Sequence, residues 1–524
     1  MMFSIRHNSL FGHFRLSVAV TLALTCTLAG SVRLSGSERQ GRVLRVALVG
    51  DPQVDNPVEM GYARRSIYRD LRGRRDVDLC IFLGDLVNDN MSLLPESLSV
   101  IDSLPFQSFM VPGNHDRDVY RESSSSIYRP RDLSTWRKLV GYVDTSFVRG
   151  NVRFIMMNNV RHAAAGMTDY VGGFTEKQKH WLDSVLVTDA TRGGKTSRGS
   201  VARSRRTSHG SVTPALTILA THIPFSQMKG RDSVLALVPE HTRMLYVSGH
   251  THFVSRNDSI PEVIAGATCG SWWRGVKDSD GVPYALQSCG APRGYFVADI
   301  CSDGDYTLRY KCVGRDDEVS VWGVREEDEI GAADGGSVRA EGEHVKMKGD
   351  SKKSLRETRK TADVNEGGPV RAEGETGVKD EGAVRPKGDC DVYRLYINVF
   401  GGAPDGVVKV RGGRRWRIVS RGDGAHDGAN AQGLSRKKRD LVCQRSNKTA
   451  PEVEQVIEFN ASMSRDYRKS HRDVFIPLRR KPSTHLWQTT CLISNPLPVY
   501  VNVIYRDSHM HFRQRVPVTV VSRH

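Results

Sequence analysis

The sequence predicts a mixed α/β protein that continues through a disordered linker into a smaller, mainly β domain. Three observations predict this. Between residues 44 and 312, short apolar runs alternate with helix-like stretches, and five of the runs end on polar islands rich in Asp, Asn and His. Residues 313–389 are rich in Gly, Glu, Lys, Arg and Asp with very few aromatics, so they cannot bury enough apolar surface to order themselves. Residues 390–524 regain strand patterns with a weak helical signal, which reads as a small β-sandwich.

The chain has 524 residues, long enough for two or three domains, and an apolar share of 39%, enough for a sizeable core. A formal charge of +17 is compatible with nucleic acid, an anionic surface or an acidic substrate. Many of the Lys and Arg fall in linkers and loops, which favours a solvated, non-specific role. No specific nucleic-acid partner is expected.

Residues 1–31 read as an export signal. Arg6, His7, His13 and Arg15 precede an apolar stretch at 16–28, and Ala29, Gly30 and Ser31 supply the small residues of a cleavage site. That stretch is short for a membrane span and nothing later approaches one, so no transmembrane span is expected. Cys26 sits in a poor lipoprotein box, which makes a lipid anchor the lesser alternative. Export permits disulfides. Cys80 lies within a strand-like run and reads as a buried thiol, whereas pairing among Cys269, Cys289, Cys301 and Cys312 is left open.

The apolar runs at 46–49, 79–83, 109–111, 216–219 and 244–247 are short and bounded by turn residues, as buried strands are. Residues 58–72 read as the helix after the first strand and 90–103 as the helix after the second. Residues 151–159 are a further strand. Thr175, with Gln178 three residues on, forms a capping box that opens a helix carrying Trp181, Leu182 and Leu186. Residues 189–213 are basic, Ser/Gly-rich and aperiodic, and are expected to be a mobile insertion. A nucleic-acid patch is the sharper alternative there, but no aromatics interleave to stack bases. Residues 295–311 read as strand–turn–strand around Ser302-Asp303-Gly304-Asp305.

The islands are Asp51-Pro52-Gln53, Gly84-Asp85, Gly113-Asn114-His115-Asp116, Thr221-His222 and Gly249-His250-Thr251-His252. Each lies at or just past the carboxyl end of its run, where open α/β sheets place their sites. Carboxylate, amide oxygen and imidazole are the ligands of hard and borderline divalent cations. The set is too large for one tetrahedral ion and suits two ions about 3.5–4 Å apart sharing a carboxylate. Gly before Asp85, Asn114 and His250 lets the backbone turn sharply and come close. Any one island alone is a common turn; five in order, each after a strand-like run, are not a chance pattern.

These islands resemble the signature of the calcineurin-like metallophosphoesterases over roughly residues 44–312. Many members carry Asp-x-His at the first island, where this chain has Asp51-Pro52-Gln53. The resemblance implies a two-sheet α/β sandwich and metal-dependent hydrolysis of a phosphoester by a bridging hydroxide. It implies two divalent ions, Mn, Zn or Mg, with Fe a further candidate. Asp85 is then the shared ligand, Asp51 and His252 complete one site with Gln53 weakly placed, and Asn114, His222 and His250 complete the other. His115 is expected to protonate the leaving oxygen or to stabilise the transition-state charge, and Asp116 to orient His115. Asn88 and Asp89 are expected to order their loop. The substrate is expected to be a phosphorylated small molecule or a phosphoprotein, with monoester, diester and pyrophosphate all open.

Gly270-Ser271-Trp272-Trp273-Arg274-Gly275 resembles a segment of exported bacterial members that carry a C-terminal accessory domain. Adjacent Trp on a strand point to opposite faces, so one can face the site mouth and stack on a substrate, while the equal alternative packs both between sheets and loops. Thr484-His485-Leu486-Trp487 resembles part of the accessory domain, with His485 read as structural. The resulting division is a signal at 1–31, a catalytic domain at 44–312, a linker at 313–389 and an accessory domain at 390–524, in a protein of the periplasm or cell surface. Two other classes stay in view: a phosphoester-binding protein with a degenerate site, and an adhesion or glycan-binding protein whose β domain is primary.

Overall fold

The computed structural model describes residues 42–118, 132–162, 170–187, 214–257, 259–325, 391–412, 440–493 and 499–521. The export signal, Cys26, the insertion at 189–213 and most of the linker lie outside the described residues. Strands β1 (Arg42–Val49), β2 (Leu79–Phe82) and β3 (Gln107–Met110) run parallel. The chain then supplies β4 (Thr145–Arg149), β5 (Val152–Met156), a short hairpin of β6 (Val160–His162) and β7 (Tyr170–Gly172), β8 (Leu216–Ala220), β9 (Met244–Ser248), β10 (Val254–Asn257) and β11 (Glu262–Ala265). It returns to the first sheet as β12 (Gly294–Cys301) and β13 (Tyr306–Cys312), a hairpin across the turn read from sequence. The first sheet has the order β13-β12-β1-β2-β3 and the second β10-β11-β9-β8-β5-β4.

The alternation of side chains along a strand sets the layers. On β1, Val46 and Leu48 face inward with Phe154 and Met156 of β5 and Ile218 of β8, which is the core between the sheets. Ala47 and Val49 face outward against Tyr62, Ala63, Ile67 and Leu71. On the far side, Ile155 and Leu219 meet Leu182 and Leu186 of the helix Glu176–Val187. The result is the expected sandwich of two sheets with helices outside.

Local chemistry shapes the helices. Asn56 caps the helix Pro57–Arg65, its Oδ1 accepting from Val58 N and Glu59 N at 3.1 Å each. The single helix expected over 58–72 is broken at Ser66, whose hydroxyl donates to Tyr62 O at 2.7 Å, and resumes as Ile67–Arg72. A serine that bonds back to its own helix competes with the regular ladder and bends it. The capping box is present: Gln178 N donates to Thr175 Oγ1 at 3.2 Å and Thr175 N to Gln178 Oε1 at 3.0 Å.

The C-terminal part departs from expectation in three ways. Strand β14 (Val319–Arg325) falls inside the stretch read as linker, yet it pairs with β15 (Asp391–Val399). Its alternating Val319, Val321 and Gly323 are a strand pattern that the charged surroundings hide. The two-sheet sandwich expected is instead one eight-stranded sheet, completed by β16 (Val407–Gly412), β17 (Leu441–Val442), β18 (Gln444–Arg445), β19 (Leu486–Ile493), β20 (Val499–Arg506) and β21 (His511–Val521). Two helices, Pro451–Ser462 and Arg465–Ser470, also form here. The sheet buries Val321, Leu395, Ile397 and Val503 in the same core as Phe296 and Ile300 of the first sheet. Of the cysteines weighed for pairing, Cys269, Cys289 and Cys312 are free, buried thiols. No helix among the described residues is long and apolar enough to cross a membrane.

Candidate metal centre

The ends of β1, β2 and β3 in one sheet and of β8 and β9 in the other bring the five islands together. Close approach is what the glycines permit. A Cβ on Gly113 would collide with Asp85 Oδ1, and one on Gly249 with Asp51 Oδ2. Six of the nine non-glycine residues with positive φ among the described residues belong to these loops: Asp51, Gln53, Asp85, Asp89, His250 and His252. Each such conformation costs on the order of 1–3 kcal/mol and persists only where surrounding contacts enforce it, as they do at functional sites.

Asp85 is the hub. Its Oδ1 accepts the His115 amide at 2.9 Å, and its Oδ2 lies 3.3 Å from His222 Nε2. His222 Nε2 is also 2.9 Å from Asn114 Oδ1 and 3.1 Å from His250 Nδ1. His222 Nδ1 faces Leu83 O at 2.8 Å. A carbonyl can only accept, so Nδ1 carries a proton and Nε2 is the nitrogen turned toward the cluster. His252 is arranged likewise: Nδ1 faces Gly270 O at 2.6 Å, and Nε2 lies 3.9 Å from Asp51 Oδ1. Asp51 accepts the His250 amide on both oxygens, at 3.1 and 2.9 Å.

The ligand atoms of Asp85, His222 and His250 all fall within 4.8 Å of one another. Asp51 and Asp85 are buried, and no Lys or Arg among the described residues forms an ion pair with either. Two buried carboxylates without a Lys or Arg beside them are costly, and the imidazole nitrogens of His222 and His250 converge there. The donor set therefore fits divalent cations.

Protein charges alone polarise the cluster. Burial opposes a charged His222, but neighbouring Asp85 outweighs it and raises the ring to about 9. Burial and then the His222 charge push His250 down to about 3. Burial takes His252 down to about 4 and raises Asp51. Asp85 is held low: burial works against its charge, and His222 overcomes that.

The remaining sequence expectations divide. Gln53 is at the centre, but its side chain is spent elsewhere: Nε2 donates to Asn88 Oδ1 at 3.2 Å, and Oε1 accepts from the Cys269 thiol at 3.5 Å. His115 stands on the open side, its side chain 28% exposed, with Nδ1 3.1 Å from Asp89 Oδ1. Asp116 does not orient it. That carboxylate turns inward and ties two loops together, Oδ1 accepting from Val87 N at 3.0 Å and Oδ2 from Gly113 N at 2.9 Å. Burial, then the Asp85 charge, raises it to about 7. The partner of His115 is Asp89, read from sequence as a loop residue. Its positive φ, in a Gly84-Asp85-x-x-Asn88-Asp89 run, was the signal that only a structure exposes.

Two family models match the chain: calcineurin-like phosphoesterase over residues 44–254, and the C terminal of calcineurin-like phosphoesterase over 262–476. Among solved structures, a purple acid phosphatase from yellow lupin (Lupinus luteus) seeds is 15% identical, over 52% of this chain and 52% of that chain, with a TM-score of 0.32. The chain thus spans about half the length of that structure, and at this level of likeness nothing about its activity follows from it. No curated protein matches the chain. The two consecutive family models and the ligand loops lying within the first of them place this chain among the calcineurin-like phosphoesterases that carry the family's C-terminal domain.

Proposed function

We propose that the protein is a metal-dependent phosphoester hydrolase with two divalent cations, Mn, Zn or Mg with Fe a further candidate. The observation that carries this is the convergence of Asp85, His222 and His250 beside buried Asp51, with no Lys or Arg among the described residues paired to either carboxylate. Asp85 would be shared, Asp51 and His252 would hold one ion, and Asn114, His222 and His250 the other. Bound there, the cations would polarise the phosphoryl oxygens and make a water acidic enough to attack phosphorus near neutral pH.

The chain's own residues do the rest. His222 and His252 keep their outer ring nitrogens on carbonyls, which fixes the orientation of the inner ones. His115, held by its amide to Asp85 and beside Asp89, would give a proton to the departing oxygen. The substrate is a phosphorylated small molecule or phosphoprotein, and a diester or nucleotide pyrophosphate is the second reading, since the same donor set serves both. Residues 1–31 support a location in the periplasm or at the cell surface. A degenerate binding protein would not need Asp85, His222 and His250 to converge beside buried Asp51. The test is a panel of monoesters, diesters and nucleotide pyrophosphates with added manganese, before and after chelation, with bound metal measured. Hydrolysis lost with EDTA and restored by metal supports the reading; a metal-loaded protein inert on the whole panel removes it.

A further inference from the structure

The rim of the metal centre carries an aromatic ring that the chemistry above does not use. Trp272 is 43% exposed, and its ring centroid lies 4.8 Å from that of His252, tilted by 35°. One side of the indole therefore rests on a candidate ligand and the rest faces solvent. Its neighbour Trp273 is the opposite case. It is buried, donates Nε1–H to Pro52 O at 3.0 Å and packs beside Tyr62. The two adjacent indoles thus divide their work, one anchoring and one projecting.

The backbone under Trp272 is pinned. Cys269 N donates to Asp51 O and Trp273 N to Cys269 O, both at 3.0 Å, and Gly275 N donates to Asp473 O at 2.8 Å. The Ser271 hydroxyl donates to Leu286 O at 2.6 Å. Both Trp sit at φ +54, a left-handed conformation that bulky residues rarely adopt. Such enforced outliers cluster at functional sites, and here the buried Trp273 anchors the turn from which Trp272 projects. Across the centre, the Tyr170 ring stands edge-on to His250, with centroids 5.6 Å apart at 79°. His252 and His250 thus each have an aromatic ring beside them.

We propose that Trp272 is a specificity-determining residue, a fixed stacking platform that selects phosphate esters carrying a flat aromatic group, nucleobase or aryl, beside the phosphorus. This deepens the hydrolase reading and rests on it for the position of the phosphate. The indole presents a π face of fixed orientation, so a ring stacks without first ordering the platform. A sugar or alkyl group lacks the π face that offset stacking uses and gains less from the platform.

The test pairs AMP with ribose 5-phosphate, which share one kind of ester and differ in the base. Both are assayed on wild type, Trp272→Ala and Trp272→Phe, with equilibrium binding of each to the manganese-loaded proteins. Wild type is expected to favour AMP. Trp272→Ala is expected to lower the AMP to ribose 5-phosphate ratio of kcat/KM roughly 10-fold or more, chiefly through KM, and Trp272→Phe to keep most of the preference. Phenyl phosphate as competitor separates the sources of the ring: inhibition as strong as by AMP marks an aryl platform, weak inhibition a nucleobase one. No preference in wild type, or an equal loss on both esters in Trp272→Ala, overturns the proposal. Should wild type hydrolyse no ester of the wider panel, the hydrolase reading falls. Binding then decides the platform: an AMP preference that Trp272→Ala removes supports it, and equal binding overturns it.

Discussion

Arg256 and Asp507 hold the two parts of the molecule to each other. Arg256 lies on β10, four residues past His252, and Asp507 follows β20 of the C-terminal sheet. Arg256 Nη1 is 2.6 Å from Asp507 Oδ2, and the two side chains expose 1% and 0%. Tyr505 donates to the same Oδ2 at 2.5 Å, and the His509 and Met510 amides donate to Oδ1 at 2.7 and 2.6 Å. Arg256→Met removes the cation and leaves a dry carboxylate. Losing one partner of a buried pair costs about 3–5 kcal/mol. Four donors stay on Asp507, the Ala403 amide at 3.3 Å from Oδ2 being the fourth, so the lower end, about 3 kcal/mol, is expected; at about 2–4 °C per kcal/mol for domains of about 150–250 residues, Tm falls by roughly 6–12 °C. The pH dependence has a definite sign. Burial pushes the Asp507 carboxyl up, but the Arg256 charge and the hydrogen bonds outweigh it and hold it below its ordinary 3.8. A carboxyl held low contributes stability that is fully present above pH 3.8 and is lost as pH falls through the lower folded value. Wild-type stability should therefore fall in acid below 3.8, and less steeply in Arg256→Met. Urea unfolding followed by circular dichroism across that range measures both. A variant within about 0.5 kcal/mol of wild type, or one with the same acid slope, refutes the reasoning.

Three further outcomes are expected. Asp85→Asn should abolish hydrolysis and lower bound metal, because it removes charge at the point where His222 and His250 converge; normal turnover with full metal content would contradict this. His115→Ala should lower turnover on alkyl phosphates about 10²–10⁴-fold, with little loss on nitrophenyl esters and with metal retained. Equal loss on both would mean that the ring acts through charge alone, and metal loss that it is a ligand. Deleting residues 315–388, harmless if the stretch were only a spacer, should unfold the C-terminal sheet because it removes β14 from between β15 and β21. A native melting transition in the deletion would show that β14 is dispensable.

The candidate ligands were legible because their signals are local. A short apolar run, a glycine and a donor of the right chemistry can be read within ten residues, and the five runs became β1, β2, β3, β8 and β9. The capping box at Thr175 was legible for the same reason. What resisted reading depends on partners far along the chain. Asp89 rather than Asp116 meets His115, because the Asp116 carboxylate is consumed by the amides of Val87 and Gly113. Gln53 spends its amide on Asn88 and Cys269. Val319–Arg325 reads as spacer from composition and becomes a strand because β15 and β21 lie on either side.

The sequence by itself therefore determined the donor chemistry, the sandwich core and the loops that carry the donors, since strand period, turn residues and ligand type are properties of neighbours. Tertiary structure alone decided which carboxylate faces which histidine, which Trp is buried and which stands at the rim, and how the C-terminal strands pair. Those outcomes turn on competition among hydrogen-bond donors and acceptors separated by as many as 139 residues, as between Leu83 and His222, or by 29, as between Val87 and Asp116, and such competition is settled only when the chain has folded.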